Sequence, residues 1–210
     1  GLSANTTYYF NVLVADEAGN KTAYTAISET TLADTTAPEV TDGTITTSSI
    51  TATGITLSWS KASDVISSAS NLKYYIYRSA TNNISTVANA IANGTLLNSG
   101  GTADIGTYDV TGLSASTTYY FNVVVEDEAG NKSAYTTKSQ ATTADTTAPS
   151  KTSSTITTAS VTATTLTLNW TKATDDVSVA TALKYYVYQS SSNNISTVAN
   201  AIANGGTPLN

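Results

Sequence analysis

Apolar and polar residues alternate along much of the chain, the two-residue period of strands that bury one face. Ile55, Leu57 and Trp59 alternate with Thr56 and Ser58. Leu72, Tyr74 and Ile76 alternate with Lys73, Tyr75 and Tyr77, and Tyr119, Phe121, Val123 and Val125 alternate with Tyr120, Asn122 and Val124. Turn-forming residues punctuate these runs at Asp42-Gly43, Asn93-Gly94, Ser99-Gly100-Gly101 and Ala129-Gly130-Asn131. Short strands divided by such turns predict an all-β antiparallel sandwich. One stretch departs from the period. Ile84, Val87, Ala88 and Ile91 follow helical spacing, with Asn82 or Asn83 as N-cap and Gly94 past the end. This predicts about two turns of helix between the third and fourth strands, laid across an open end of the sandwich.

The pattern recurs. Gly1-Leu2-Ser3-Ala4 returns as Gly112-Leu113-Ser114-Ala115, Asp34-Thr35-Thr36-Ala37-Pro38 as Asp145-Thr146-Thr147-Ala148-Pro149, and Trp59 as Trp170, every pair 111 positions apart. That spacing is the size of a domain rather than of a short solenoid repeat. With Asp34 as the start, 34–144 is one complete repeat, 1–33 matches the last two strands of a repeat, and 145–210 matches the beginning of the next. The half-repeats suggest either a stretch of a longer continuous polymer or half-domains completed by neighbouring chains through strand addition, and the first reading is preferred. The absence of Met and of an export signal places the biological ends outside this window.

Composition narrows the chemistry. Hydrophobic residues make up 40% of the chain, enough for packed cores, while charged residues are only 11% and Ser and Thr carry most of the polarity. A net charge of −6 with scattered basic residues argues against a nucleic-acid partner. No apolar run approaches the length of a membrane span. With no Cys and no His, thiolate metal sites and Ser-His or Cys-His nucleophilic mechanisms are excluded. Adjacent carboxylates such as Asp127 and Glu128 tend to point apart, which disfavours a glycosidase pair, and no phosphate-cradling glycine motif is present. The expectation is a protein without catalytic activity.

Particular segments carry a family resemblance. Thr56-Leu57-Ser58-Trp59 resembles the second strand of fibronectin type III domains, and Tyr74-Tyr75-Ile76-Tyr77-Arg78 is similar to their third. Gly112-Leu113 followed by Thr117-Thr118-Tyr119 resembles their tyrosine corner, which implies that Tyr119 anchors the crossing from the fifth to the sixth strand. Asp127-Glu128-Ala129-Gly130-Asn131-Lys132 is similar to the last loop of bacterial members, and Asp-Thr-Thr-Ala-Pro to their interdomain linkers. The resemblance implies tandem fibronectin type III-like sandwiches on the cell surface or outside the cell, and the inserted helix departs from the plain family pattern.

The same fold brings the incoming segment, the loop between the second and third strands, and the last loop to one pole. Asp34, Asp64 and the loop bearing Asp127, Glu128 and Asn131 are therefore candidate calcium ligands, with Asp145, Asp175 and Asp176 as counterparts in the next repeat; the alternative is that these are ordinary turn formers. Tyr75, Tyr77 and Tyr120 are expected to share an exposed sheet face, either as a platform for a surface glycan or protein or as cross-strand pairs that stabilise the sheet. Thr35 and Thr146 lie in Asp-Thr pairs that resemble bacterial O-glycan acceptors, and Asn5, Asn83 and Asn93 match the N-linked pattern. Three functions compete: a structural or adhesive stalk or filament whose units contact one another, a binding module using the tyrosine face, and a spacer in a secreted polysaccharide-degrading enzyme.

Overall fold

The computed structural model describes residues 1–209 and divides into two compact units, 1–144 and 145–210. The first unit begins with two antiparallel pairs. β1 (Thr7–Phe10) pairs with β4 (Ile27–Thr30), and β2 (Leu13–Ala15) pairs with β3 (Lys21–Ala23).

A sandwich follows, made from β5 (Ile45–Ser48), β6 (Ile55–Trp59), β7 (Lys73–Ser79), helix α1 (Val87–Asn93), β8 (Thr95–Leu96), β9 (Thr102–Ala103), β10 (Thr107–Val110), β11 (Thr118–Glu126), β12 (Lys132–Ala134) and β13 (Lys138–Ala141). One sheet has the order β10-β6-β5. The other runs β12-β11-β7-β8, with β13 also beside β11 and β9 also beside β7. Every pairing is antiparallel, so this is the two-sheet all-β architecture that the resemblance implies. The last strand splits into β12 and β13 around Tyr135, whose backbone N–H still donates to Val123 O while its ring turns into the core.

The alternation is read correctly on the inner faces. Ile55, Leu57 and Trp59 from one sheet meet Leu72, Tyr74, Ile76, Phe121, Val123 and Val125 from the other, all buried in one cluster. Trp59 lies 6.0 Å from the Tyr74 ring and 6.4 Å, edge on, from Tyr135, distances at which aromatic pairs add to area burial. Both phenols also hold backbone: Tyr74 Oη accepts from Ala62 N at 2.9 Å, and Tyr135 Oη donates to Ser60 O at 2.6 Å. The tyrosine corner forms as expected, with Ser114 N donating to Tyr119 Oη at 3.0 Å; Ser3 N does the same to Tyr8 Oη at 2.8 Å.

The helix exists but lies elsewhere than the periodicity suggests. It covers the outer face of β7 and β11 instead of an open end, in a second cluster where Tyr77, Ile84, Ala90 and Val124 are buried and Tyr75, Val87 and Tyr120 pack against them. Its N-cap is Thr86, not Asn82 or Asn83; Thr86 Oγ1 accepts from Asn89 N at 3.1 Å, satisfying a donor that the first turn leaves open. The stripe on the sheet is Ile84 and Ala90, both buried, with Val87 half-buried, whereas Ala88 and Ile91 face solvent. Gly94 ends the helix against Tyr77: a Cβ there would stand 2.6 Å from Ala90 O and 3.0 Å from Tyr77 Cβ. Asn122, fully buried on β11, donates to Ile84 O at 2.5 Å and ties the helix approach to the sheet.

The second unit repeats part of this local structure, while 184–190, the counterpart of β7, forms no strand. It contains β14 (Ile156–Ala159) paired with β15 (Thr167–Trp170), and helix α2 (Val198–Asn204) capped by Thr197.

Two outcomes follow for stability. Trp59→Ala is expected to cost about 3–5 kcal/mol, the usual result of emptying a large aromatic site, measured by urea unfolding; a change under about 1 kcal/mol would contradict the packing described. Gly94→Ala is expected to destabilise although alanine is the better helix former, because the added methyl collides with backbone. An unchanged midpoint would show that the helix end yields freely.

Candidate functional site

Three segments meet at one pole of the sandwich. The incoming segment pairs with the β6–β7 loop through Glu39 N to Ser63 O at 2.7 Å and Ser63 N to Glu39 O at 3.1 Å. It is also tied to the β11–β12 loop, where Asn131 Nδ2 donates to Asp34 O and Thr36 O at 3.3 Å each and to Asp127 Oδ2 at 2.8 Å. Gly130 permits this return by its positive φ of 92°, a backbone region that costs other residues strain.

These ties bring Asp34, Asp64 and Asp127 together, one carboxylate oxygen from each lying within 4.8 Å of the others. Each side chain is held by its own turn. Asp34 Oδ1 accepts from Thr36 N at 2.9 Å, Asp64 Oδ1 from Ile66 N at 2.8 Å and Ser67 N at 2.7 Å, and Asp127 Oδ1 from Ala129 N at 2.9 Å and Asn131 N at 2.8 Å. The second oxygens of Asp34 and Asp64 are buried and accept nothing. Among the described residues the ion pairs are Lys61 with Asp104 and Lys132 with Glu126, so no ammonium or guanidinium neutralises the cluster. Carboxylates this close repel one another when charged.

Of the other predicted ligands in this unit, Asn131 touches the group through its amide nitrogen and Glu128 is not one of its members. The Glu128 side chain is exposed, and its backbone N–H meets Ser67 Oγ at 3.3 Å. Asn131 is a cross-link through its amide nitrogen. In the second unit Asp145 Oδ1 accepts from Thr147 N at 2.9 Å and Asp175 Oδ1 from Ser178 N at 2.6 Å, the same turns 111 positions on, while Asp176 is exposed. Thr35 and Thr146 are exposed.

The expected open tyrosine face requires correction. Tyr77 is only 8% exposed, and Tyr75 and Tyr120 are half-buried, because α1 covers the sheet at this point. Tyr75 is further engaged by Glu126, whose hydrogen bond, together with burial, pushes its phenol up to about 12. A platform of three free rings is therefore absent. The near-continuous apolar run Phe121–Val125 was the available signal, since a strand covered on both faces loses its alternation.

A cavity of about 470 Å³ in the second unit is lined by Ile156, Leu168, Trp170 and Tyr185. Their counterparts 111 positions earlier, Ile45, Leu57, Trp59 and Tyr74, are core, so its chemistry is that of an inner sheet face and not of a reaction site.

The family model for the fibronectin type III domain matches residues 37–142. Exoglucanase B of Cellulomonas fimi is 36% identical over 158 residues, which cover 71% of this chain but 13% of that protein's length. Among solved structures, the 6th fibronectin type III domain from human fibronectin type III domain containing protein 3 is 14% identical with a TM-score of 0.42, over 57% of this chain and 98% of that one. The chicken CNTN1 FN1-FN3 domains are 15% identical with a TM-score of 0.40, over 68% of this chain and 44% of theirs.

The Tyr75–Glu126 contact has a pH signature. A phenol whose folded value is raised contributes stability that is complete below about pH 10, its unfolded value, and is lost as pH rises toward about 12. Urea midpoints are expected to fall over that window, and Tyr75→Phe should make the fall shallower. An equally steep decline in the variant would assign it to other groups.

Proposed function

The chain belongs to the fibronectin type III domain family, and on that premise we propose that it is a non-catalytic stretch of an extracellular tandem array, with 34–144 as one whole unit, 1–33 as the end of the unit before and 145–210 as the start of the next. The observation that carries this reading is the recurrence of elements at one spacing. β1 to β4 correspond to the halves of β11 and to β12 and β13, β5 and β6 correspond to β14 and β15, and both helices carry a Thr cap. Repetition of geometry suits a stalk or filament that sets distance and shares load, with neighbouring units as the principal partners.

The absence of His and Cys and the engagement of the Asp side chains in turns support a role without catalysis. Among the described residues no helix is long and apolar enough to cross a membrane, and an extracellular address is part of the proposal. A second reading, a spacer in a secreted polysaccharide-degrading enzyme, is favoured by the similarity to Exoglucanase B, of which the chain spans only 13%. With the tyrosine face covered, a glycan-binding role has less support than either.

Pulled between its ends, the chain is expected to give one cooperative event from 34–144, lengthening it by its extended length of roughly 370–400 Å, at about 3.3–3.6 Å per residue, less its folded span. Extension with no discrete event would remove the load-bearing reading, and release of sugar from cellulose by this chain would remove the non-catalytic one.

A further inference from the structure

We propose that Asp34, Asp64 and Asp127 form a calcium site that fastens the incoming segment of the sandwich to its β6–β7 and β11–β12 loops. The clustering of acids alone does not carry this. The second observation is that Asp34 is 8% exposed and its Oδ2 is buried without a donor, as is Asp64 Oδ2. Buried carboxylate oxygens ordinarily find a donor or a cation, and among the described residues none is supplied.

The geometry does not allow the charges to separate by rotation. The Oδ1 atoms of all three residues are bound to backbone N–H groups of their own turns. The turns themselves are pinned to one another by the Glu39–Ser63 bridge and by Asn131. A dication placed among the three oxygens converts their mutual repulsion into attraction and adds a bond between segments far apart in sequence.

The donor set selects the ion. It is oxygen only, in a chain without His or Cys, which excludes the softer transition metals that need nitrogen or sulfur. Calcium accepts six to eight oxygens in irregular arrangement, so carboxylates fixed by their turns and completed by water suit it. Magnesium demands near-ideal octahedral geometry and surrenders water reluctantly.

The test uses the whole chain, with calcium chloride as the probe. Calorimetric titration should show saturable uptake, and the melting midpoint in excess calcium should exceed that in EDTA by about 5–10 °C. Asp64→Asn and, separately, Asp34→Asn should abolish both effects while keeping the near-ultraviolet spectrum of the wild type in EDTA. Relief of repulsion should leave Asp64→Asn melting no lower than the wild type in EDTA. No uptake and equal midpoints in calcium and EDTA would overturn the proposal and leave these residues as turn formers, the more so if Asp64→Asn then melts lower. Calcium shifts that persist in both variants would place binding elsewhere, and equal shifts with magnesium would overturn the choice of ion.

Discussion

Trp59 has to be covered on both sides, and most of the unit is arranged around that requirement. Its indole is too large for one sheet to bury, so Tyr74 on the facing sheet and Tyr135 from the last strand close over it. Because the two phenols also hold Ala62 N and Ser60 O, the same contacts fix where the β6–β7 loop leaves the sheet. Asp64 follows two residues later. The pole that gathers the carboxylates thus inherits its position from the aromatic core: packing sets the loop, the loop sets the Asp, and the acidic cluster is the result.

The inner faces were legible in the sequence because a period of two has only one solution when a strand has one wet side. Ile55, Leu57 and Trp59 could not be misassigned without turning Thr56 and Ser58 inward. The convergence of Asp34, Asp64 and Asp127 was legible at one remove, through the family resemblance and the pole that it implies. Glu128 does not join them: the Asp127 turn points its carboxylate inward, leaving the next side chain in solvent.

The outer face was not legible by the same means. Alternation identifies which residues point away from the core but says nothing about what lies over them, so Tyr77 read as exposed although α1 buries it. The helix stripe failed for a related reason. Ala90, not Ile91, packs against Tyr77 and Val124, where close approach favours a small side chain, and Thr86 caps the helix because its hydroxyl meets Asn89 N. Both misreadings concern one docking event, which depends on side-chain volume across two elements rather than on the pattern within either.

The helical cover also bears on how like sequences coexist in one polypeptide. Adjacent repeats are prone to misassemble with one another while folding, and a long apolar strand offers the most surface for it. β11, nine residues long, is that strand, and α1 reaches it from within the same unit. By occupying the outer surface of β7 and β11 with a local element, the fold covers these strands on both faces and leaves little of their apolar surface open to a like copy.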